Sequence, residues 1–362
     1  MATTQPRSSA LTLRAGKRAI EKIRANGLSA ADVHVIPGAA GGPKALGLCG
    51  LDKAIFGDWL PQVPQERTLI GASIGSWRFA AVASGEPKQQ LARLAELYTA
   101  QRFAKGLGGA EVSRKCRVFL ESLVGGYEDA ILTHPLYRLN ILVDRSLGLL
   151  DQDNRRRLAF GLTSAIAANT VSRRHLARFM ERGIVQDTRS DSPLPALTDF
   201  VTHRIGLRRD NLMPALLASA SIPLVMAGVR DIPGAPKGLY RDGGLLDYHL
   251  DLPYQQPGIV LYPHFTDRII PGWLDKSLPW RQANETRMQD VLLVSPSKSY
   301  LAGLPDQKLP DRKDFAHYVN DDAARETSWR TAIAESDRLG DEFMELVASG
   351  RIADVVVPLS QR

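Results

Sequence analysis

Cysteine is scarce: the 362 residues include two, Cys49 and Cys116. Two thiols cannot build a disulfide framework or a four-cysteine zinc site, and so low a number suits a reducing compartment. Long apolar runs are missing as well. No window approaches the ~18 uninterrupted apolar residues of a membrane span, and the opening MATTQPRSSALTLRAGKRAIEK has no apolar stretch of the length a secretory signal needs. The expected location is the cytoplasm. With 44% hydrophobic and 23% charged residues, the composition also excludes a disordered or collagenous chain and points to a packed, enzyme-sized fold.

Charge of one sign is in mild excess, 46 Lys plus Arg against 39 Asp plus Glu, for a net charge of +7. The arginines gather in the middle third: Arg155, Arg156 and Arg157, then Arg173, Arg174, Arg178 and Arg182, then Arg204, Arg208 and Arg209. Interleaved with apolar residues, they read first as a solvated helix face and second as an attraction to an anionic lipid surface. Zinc-finger spacing, an RNP-type aromatic strand and a basic heptad are all missing, so nucleic acid is not an expected partner.

Alternation of strand and helix carries the fold class. Leu11, Leu13, Ile20 and Ile23 read as one helical stripe ending at Asn26-Gly27, which predicts an N-terminal helical segment over 1–30. Asp32 to Gly38 predicts a buried strand, followed by a glycine-rich turn and a helical run from Ala45 to Phe56. Thr68 to Gly75 predicts a second strand leading straight into the helical SWRFAAVASG, and Lys88 to Phe103 an amphipathic helix. Further strands are expected at Leu136 to Arg145 and at LVMAGV, GLYRD, GIVLYP and VLLVS. SPSKSYLAGLPDQKLPDRKD reads as an exposed loop. The expectation is an α/β protein with a mostly parallel central sheet flanked by helices. Its main domain spans 31–320 with a helical insertion around 88–210, and a C-terminal helical segment spans 321–362.

Gly71-Ala72-Ser73-Ile74-Gly75 matches G-x-S-x-G, with an apolar strand directly before it and a helix directly after it. That setting makes a nucleophile elbow: a strained turn that lifts Ser73 above the sheet at a helix N-terminus, with the Ile74 N–H aimed at a developing oxyanion. Small flanking residues, here Gly71 and Gly75, let neighbouring backbone come close. A serine needs a base, and none of the seven histidines sits in a distinctive motif. Asp242, at a strand end and followed by Gly243 and Gly244, is the sharper candidate, since a desolvated carboxylate can act as a general base.

Four segments in this order resemble the patatin-like phospholipases and lipid acyl hydrolases. They are Gly41-Gly42-Pro43-Lys44, the elbow around Ser73, Ala218-Ser219-Ala220-Ser221-Ile222-Pro223, and Asp242-Gly243-Gly244. The resemblance implies a three-layer patatin-like fold and a Ser73–Asp242 dyad with no catalytic histidine, metal or cofactor. Gly41, Gly42 and Ile74 would supply oxyanion donors, and a lipid ester would be the substrate. Transient contact with an anionic membrane surface would then suit the excess arginine. The family usually shows three consecutive glycines, another residue, then Arg or Lys and Gly. Here Pro43 interrupts the glycine run and Ala45 stands where glycine is expected; proline has no N–H to donate. Two alternatives stay open at this stage: a Ser-His-Asp α/β-hydrolase using His264 or His249, and a catalytically silent patatin-like binding protein.

Overall fold

The structure, a computed structural model, describes residues 9–104 and 106–359. Its strands are β1 (Leu11–Ala15), β2 (Val33–Gly38), β3 (Arg67–Ala72), β4 (Tyr137–Ser146), β5 (Met180–Gln186), β6 (Thr202–Gly206), β7 (Val229–Arg230), β8 (Leu239–Asp242), β9 (Ile259–Pro263), β10 (Val291–Pro296) and β11 (Val357–Pro358). All join one sheet in the order β11-β1-β10-β9-β2-β3-β4-β5-β6, with β8 paired to β4 and β7 to β8. The run β10-β9-β2-β3-β4 is parallel. Strands β3, β9 and β10 are buried at every residue, as a parallel sheet covered by helices on both faces requires. The protein is thus a layered α/β fold with a mostly parallel central sheet.

The flanking helices are α1 (Lys17–Asn26), α2 (Cys49–Lys53), α3 (Ile74–Ala83), α4 (Pro87–Thr99), α5 (Gly109–Val124), α6 (Glu128–Thr133), α7 (Arg155–Val171), α8 (Arg209–Ser219), α9 (Lys298–Ala302), α10 (Asp314–His317), α11 (Asp322–Glu335) and α12 (Asp337–Ala348). Every residue of α3 is buried, Arg78 included. That guanidinium survives in the core because it grips Asp52 with two nitrogens, Nε donating to Oδ2 at 2.8 Å and Nη2 to Oδ1 at 2.5 Å. No helix among the described residues is long and apolar enough to cross a membrane.

Several sequence expectations need correction. Leu11 and Leu13 do not belong to the first helix: they alternate with Thr12 and Arg14 in β1, whose burial follows the period-2 pattern of a strand, and α1 starts only at Lys17. Residues 1–8 of the predicted N-terminal segment lie outside the described residues. The stretch 88–210 is not a helical insertion alone, since it supplies β4, β5 and β6 to the sheet. Of LVMAGV only Val229 is in a strand. Leu224 takes a φ of 67°, and the N–H groups of Val225 and Met226 turn back on the Ile222 carbonyl, so the chain crosses over the sheet end instead of extending along it. The proline- and lysine-rich stretch contains α9 and the start of α10.

Most of the middle-third arginines are exposed, as a solvated face would have them, Arg174 and Arg178 among them; buried Arg182 and half-buried Arg173 are the exceptions. Arg182 is fully buried against Asp247 and Asp199, while Arg173 reaches Asp275, Arg208 pairs with Asp210, and Arg209 with Asp129. Arg204 is spent on Gln186, Ser192 and two backbone carbonyls. Arg155, Arg156 and Arg157 remain exposed at the start of α7.

One feature of the sheet positions the site. Strand β4 gives one edge to β5 along Asn140 to Ser146, so β3 and β8 must share the other. The parallel β3 takes Tyr137 to Leu142 and ends at Ala72 opposite Leu142. The antiparallel β8 takes Val143 to Arg145 and ends at Asp242 opposite Val143. Two strands running towards each other along one edge therefore bring their C-terminal ends face to face, Ser73 from one and Asp242 from the other.

Candidate active site

Ser73 is both nearly buried, at 3% exposure, and strained, with φ 55° and ψ −128°. A non-glycine residue holds such a conformation only where its surroundings over-determine it. Here the backbone clamps are specific. The Ser73 N–H donates to Ser219 Oγ at 2.9 Å, Ser219 in turn donates to the Leu142 carbonyl at 2.7 Å, and Ser76 Oγ donates to the Ser73 carbonyl at 2.6 Å. The Ala218 to Pro223 segment serves the other half of the site as well, because the Ser221 carbonyl accepts the Asp242 N–H at 3.1 Å. Ser219→Ala would leave two buried backbone groups unpartnered. We expect it to cost about 1 to 3 kcal/mol in chemical denaturation and, where substrate turnover can be followed, to lower kcat more than KM.

Close backbone approach explains the glycines. A Cβ on Gly75 would stand 2.0 Å from the Gly38 carbonyl oxygen, and one on Gly71 2.4 Å from the Ser76 nitrogen. At Gly243 it would meet the Leu142 carbonyl oxygen at 2.3 Å, and at Gly244 the Ala40 Cβ at 2.6 Å.

Ser73 Oγ donates to Asp242 Oδ2 at 2.8 Å, and the other carboxylate oxygen accepts the Gly244 N–H at 2.8 Å. Burial pushes the Asp242 carboxyl up to about 6, held back by the Gly244 N–H, the nearby positive charge of Arg312 and the Ser73 hydroxyl. The carboxylate is thus a stronger base than an ordinary aspartate yet is ionised at neutral pH.

Of the expected oxyanion donors, Gly42 and Ile74 line one cleft together with Ser73, and Gly41 adjoins Gly42 in the turn after β2. Among the described residues none of their N–H groups is taken by another hydrogen bond. Gly42 has a φ of 58°, a value that favours glycine, and Pro43 opens a short helical turn over Gly42–Leu48. At the start of a helix an N–H has no intrahelical acceptor, so proline removes nothing there. Lys44 holds its ammonium 5.1 Å from the centre of the Phe265 ring, the same ring that a Cβ on Gly41 would meet at 2.4 Å.

A cleft of about 500 Å³, open mouth included, lies against Ser73 and is lined largely by Trp77, Tyr98, Phe103, Phe119, Ile222 and Met226. Cys116 also lines it, but burial raises its thiol to about 11, which keeps it protonated and unreactive. On the Asp242 side a smaller recess of about 250 Å³ is bounded by Ala40, Gly244, Tyr248 and Trp273. Arg312 lines both spaces. Sequence reading passed over this residue because it stands alone in a loop with no motif around it. Its segment is fixed by buried Asp314, which accepts from the Trp329 indole at 2.8 Å and from the Asp311 N–H at 2.9 Å.

The histidines stand apart. His249 and His264 are fully buried; His249 Nδ1 accepts the Ile270 N–H at 3.0 Å and His264 Nδ1 meets the Thr266 carbonyl at 2.7 Å. Among the described residues no histidine hydrogen-bonds Ser73, and no group of three His, Cys, Asp or Glu side chains is placed to hold a metal ion. The chain as a whole matches no protein-family model, no curated protein and no solved structure.

Proposed function

We propose that the protein is a serine acyl hydrolase of the patatin-like type, cleaving a carboxylic ester of a lipid through a Ser73–Asp242 dyad. The observation that carries this reading is the 2.8 Å hydrogen bond from a strained, cleft-facing serine to a buried aspartate whose carboxyl is raised to about 6. A protein that only bound a ligand would have no need of that strain or of that desolvated base.

In the reaction, Asp242 accepts the Ser73 proton as Oγ attacks the ester carbonyl. The oxyanion that forms is met by the N–H groups of Gly41, Gly42 and Ile74. Collapse of the tetrahedral adduct expels the alcohol, which takes the proton from Asp242, and leaves the acyl group on Ser73 in the apolar cleft. Water, deprotonated by Asp242, then attacks the acyl-enzyme and releases the carboxylic acid and free Ser73. No histidine is required.

The pH dependence follows from the carboxyl. Asp242 must be ionised to act, so kcat/KM should fall as pH drops through about 6. The Arg312 charge holds that value down. Arg312→Gln should therefore shift the acidic limb of the pH–rate profile to higher pH, and a limb that stays in place would argue against Asp242 as the base. Hydrolysis of short and long acyl esters by wild type, with Ser73→Ala as the blank, tests the activity itself.

A further inference from the structure

The apolar cleft beside Ser73 is shallow. Trp77 on α3 and Phe119 on α5 form its floor, both nearly buried, with ring centres 4.9 Å apart and planes inclined by 30°. Gln101, Phe103 and Ile222 are half-exposed and form its rim. Between rim and floor there is room for roughly four to six water molecules, and hence for about as many methylene groups, which are of similar volume.

The walls are held in place. The Trp77 indole donates to the Leu216 carbonyl of α8 at 2.8 Å, which fixes the orientation of the ring. Phe119 packs between Trp77 and Tyr98, whose ring meets it edge-on at 5.9 Å, and Tyr98 leans in turn on fully buried Trp329 at 6.2 Å. Met226, on another wall, is tied to α5 through the next residue. The Ala227 N–H donates to Ser113 Oγ at 3.0 Å and to the Gly109 carbonyl at 3.2 Å. Cys116 and Phe119 belong to that same helix, so neither can draw away from Met226 without breaking these bonds.

We propose that the cleft is a short acyl pocket that buries chains of about six carbons or fewer, so that the acid released is short-chained. This deepens, and rests on, the acyl-hydrolase reading. With its carbonyl carbon at Ser73, a chain of that length lies wholly against the apolar walls. Each methylene so buried strengthens binding roughly fourfold, whereas those beyond the floor must turn back past the rim into water and add nothing.

Two measurements test the pocket. In the first, kcat/KM is followed for 4-nitrophenyl esters from acetate through butyrate, hexanoate and octanoate to laurate, each below its micelle-forming concentration. It should rise roughly fourfold per methylene to about hexanoate and then level off or fall. Phe119→Ala, which removes a floor ring, should move the break to longer chains. Cys116→Phe, which adds a ring from a half-buried position, should move it to shorter ones and carries the test if the first variant does not fold, as circular dichroism and melting curves will show. A rise that continues unbroken to laurate, a flat series, or a break that neither folded variant moves would overturn the proposal. In the second, calorimetry follows straight-chain alcohols from ethanol to decanol binding to Ser73→Ala. Affinity should climb by the same factor per methylene and level off near hexanol; no binding, or a climb without a break, refutes the pocket. If no ester is hydrolysed but the alcohols show the break, the hydrolase reading fails while the pocket stands. If esters are hydrolysed and neither series breaks, the pocket fails while the hydrolase reading stands.

Discussion

Asp242→Asn is expected to abolish turnover and to stabilise the protein at the same time. Removing one member of a nucleophile–base unit lowers kcat by about ten-thousandfold to a millionfold in serine hydrolases, and Ser73→Ala should do the same. The stability effect has the opposite sign because of the carboxyl's surroundings. Its value of about 6 in the fold lies above that of an exposed aspartate, so burying the ionised form opposes folding at neutral pH. That penalty is present above about 6 and is relieved as pH falls towards the unfolded value near ~4. Asparagine carries no charge at any pH. Asp242→Asn should therefore gain up to about 3 kcal/mol over wild type at pH 7, and the gain should shrink at pH 5. Thermal or urea unfolding at the two pH values measures it. A variant that keeps its activity, or is destabilised equally at both, would show that Asp242 is an ordinary structural aspartate.

The second large effect lies behind the dyad. Arg182 on β5 is fully buried and grips Asp247 twice, Nε to Oδ2 at 2.6 Å and Nη2 to Oδ1 at 2.9 Å, while also reaching Asp199. Asp247 ends the turn that starts at Asp242, and its N–H donates to the Gly243 carbonyl at 3.0 Å. On the same turn the Leu246 N–H donates to Asp144 of β4 at 2.9 Å. The sheet thus holds the Asp242 turn through buried polar side chains on neighbouring strands. Arg182→Met would leave buried Asp247 with Arg173, 3.8 Å away, as its remaining cation, and we expect a loss of about 3 kcal/mol in urea unfolding. Adding Asp247→Leu should restore much of it, because an apolar pair of similar volume avoids the desolvation penalty. A single variant as stable as wild type would remove the clamp from the account.

Local chemistry made the Ser73 and Asp242 turns readable in the sequence. Gly71 and Gly75 around Ser73 announce a turn in which a Cβ has no room, and the apolar run before it with the helix after it fix where the serine points. Asp242-Gly243-Gly244 is legible for the same reason, as both glycines face backbone or a carboxylate at contact distance. What stayed hidden depends on pairs of residues far apart in the chain. The role of Ser219 is a hydrogen bond to a residue 146 positions away, and Arg312 is brought to the dyad by a loop whose anchor, Asp314, is bonded to Trp329. Misreadings of secondary structure have equally local causes. Leu11 and Leu13 fit either period until Gly16 separates β1 from α1, and the β-branched content of LVMAGV loses to Pro223, which turns the chain before it can extend. The basic run misled at one position. Arg182 looks like a surface residue in a basic run, and it is among the most deeply buried side chains of the protein.

The central claim is that Ser73 is a nucleophile activated by Asp242. Treatment of the folded protein with a fluorophosphonate, read by intact and peptide mass, tests it most directly. The account predicts a single adduct on the peptide containing Ser73, slowed strongly in Asp242→Asn and missing in Ser73→Ala. A folded wild-type protein that takes up no reagent, or that is labelled elsewhere, would contradict it.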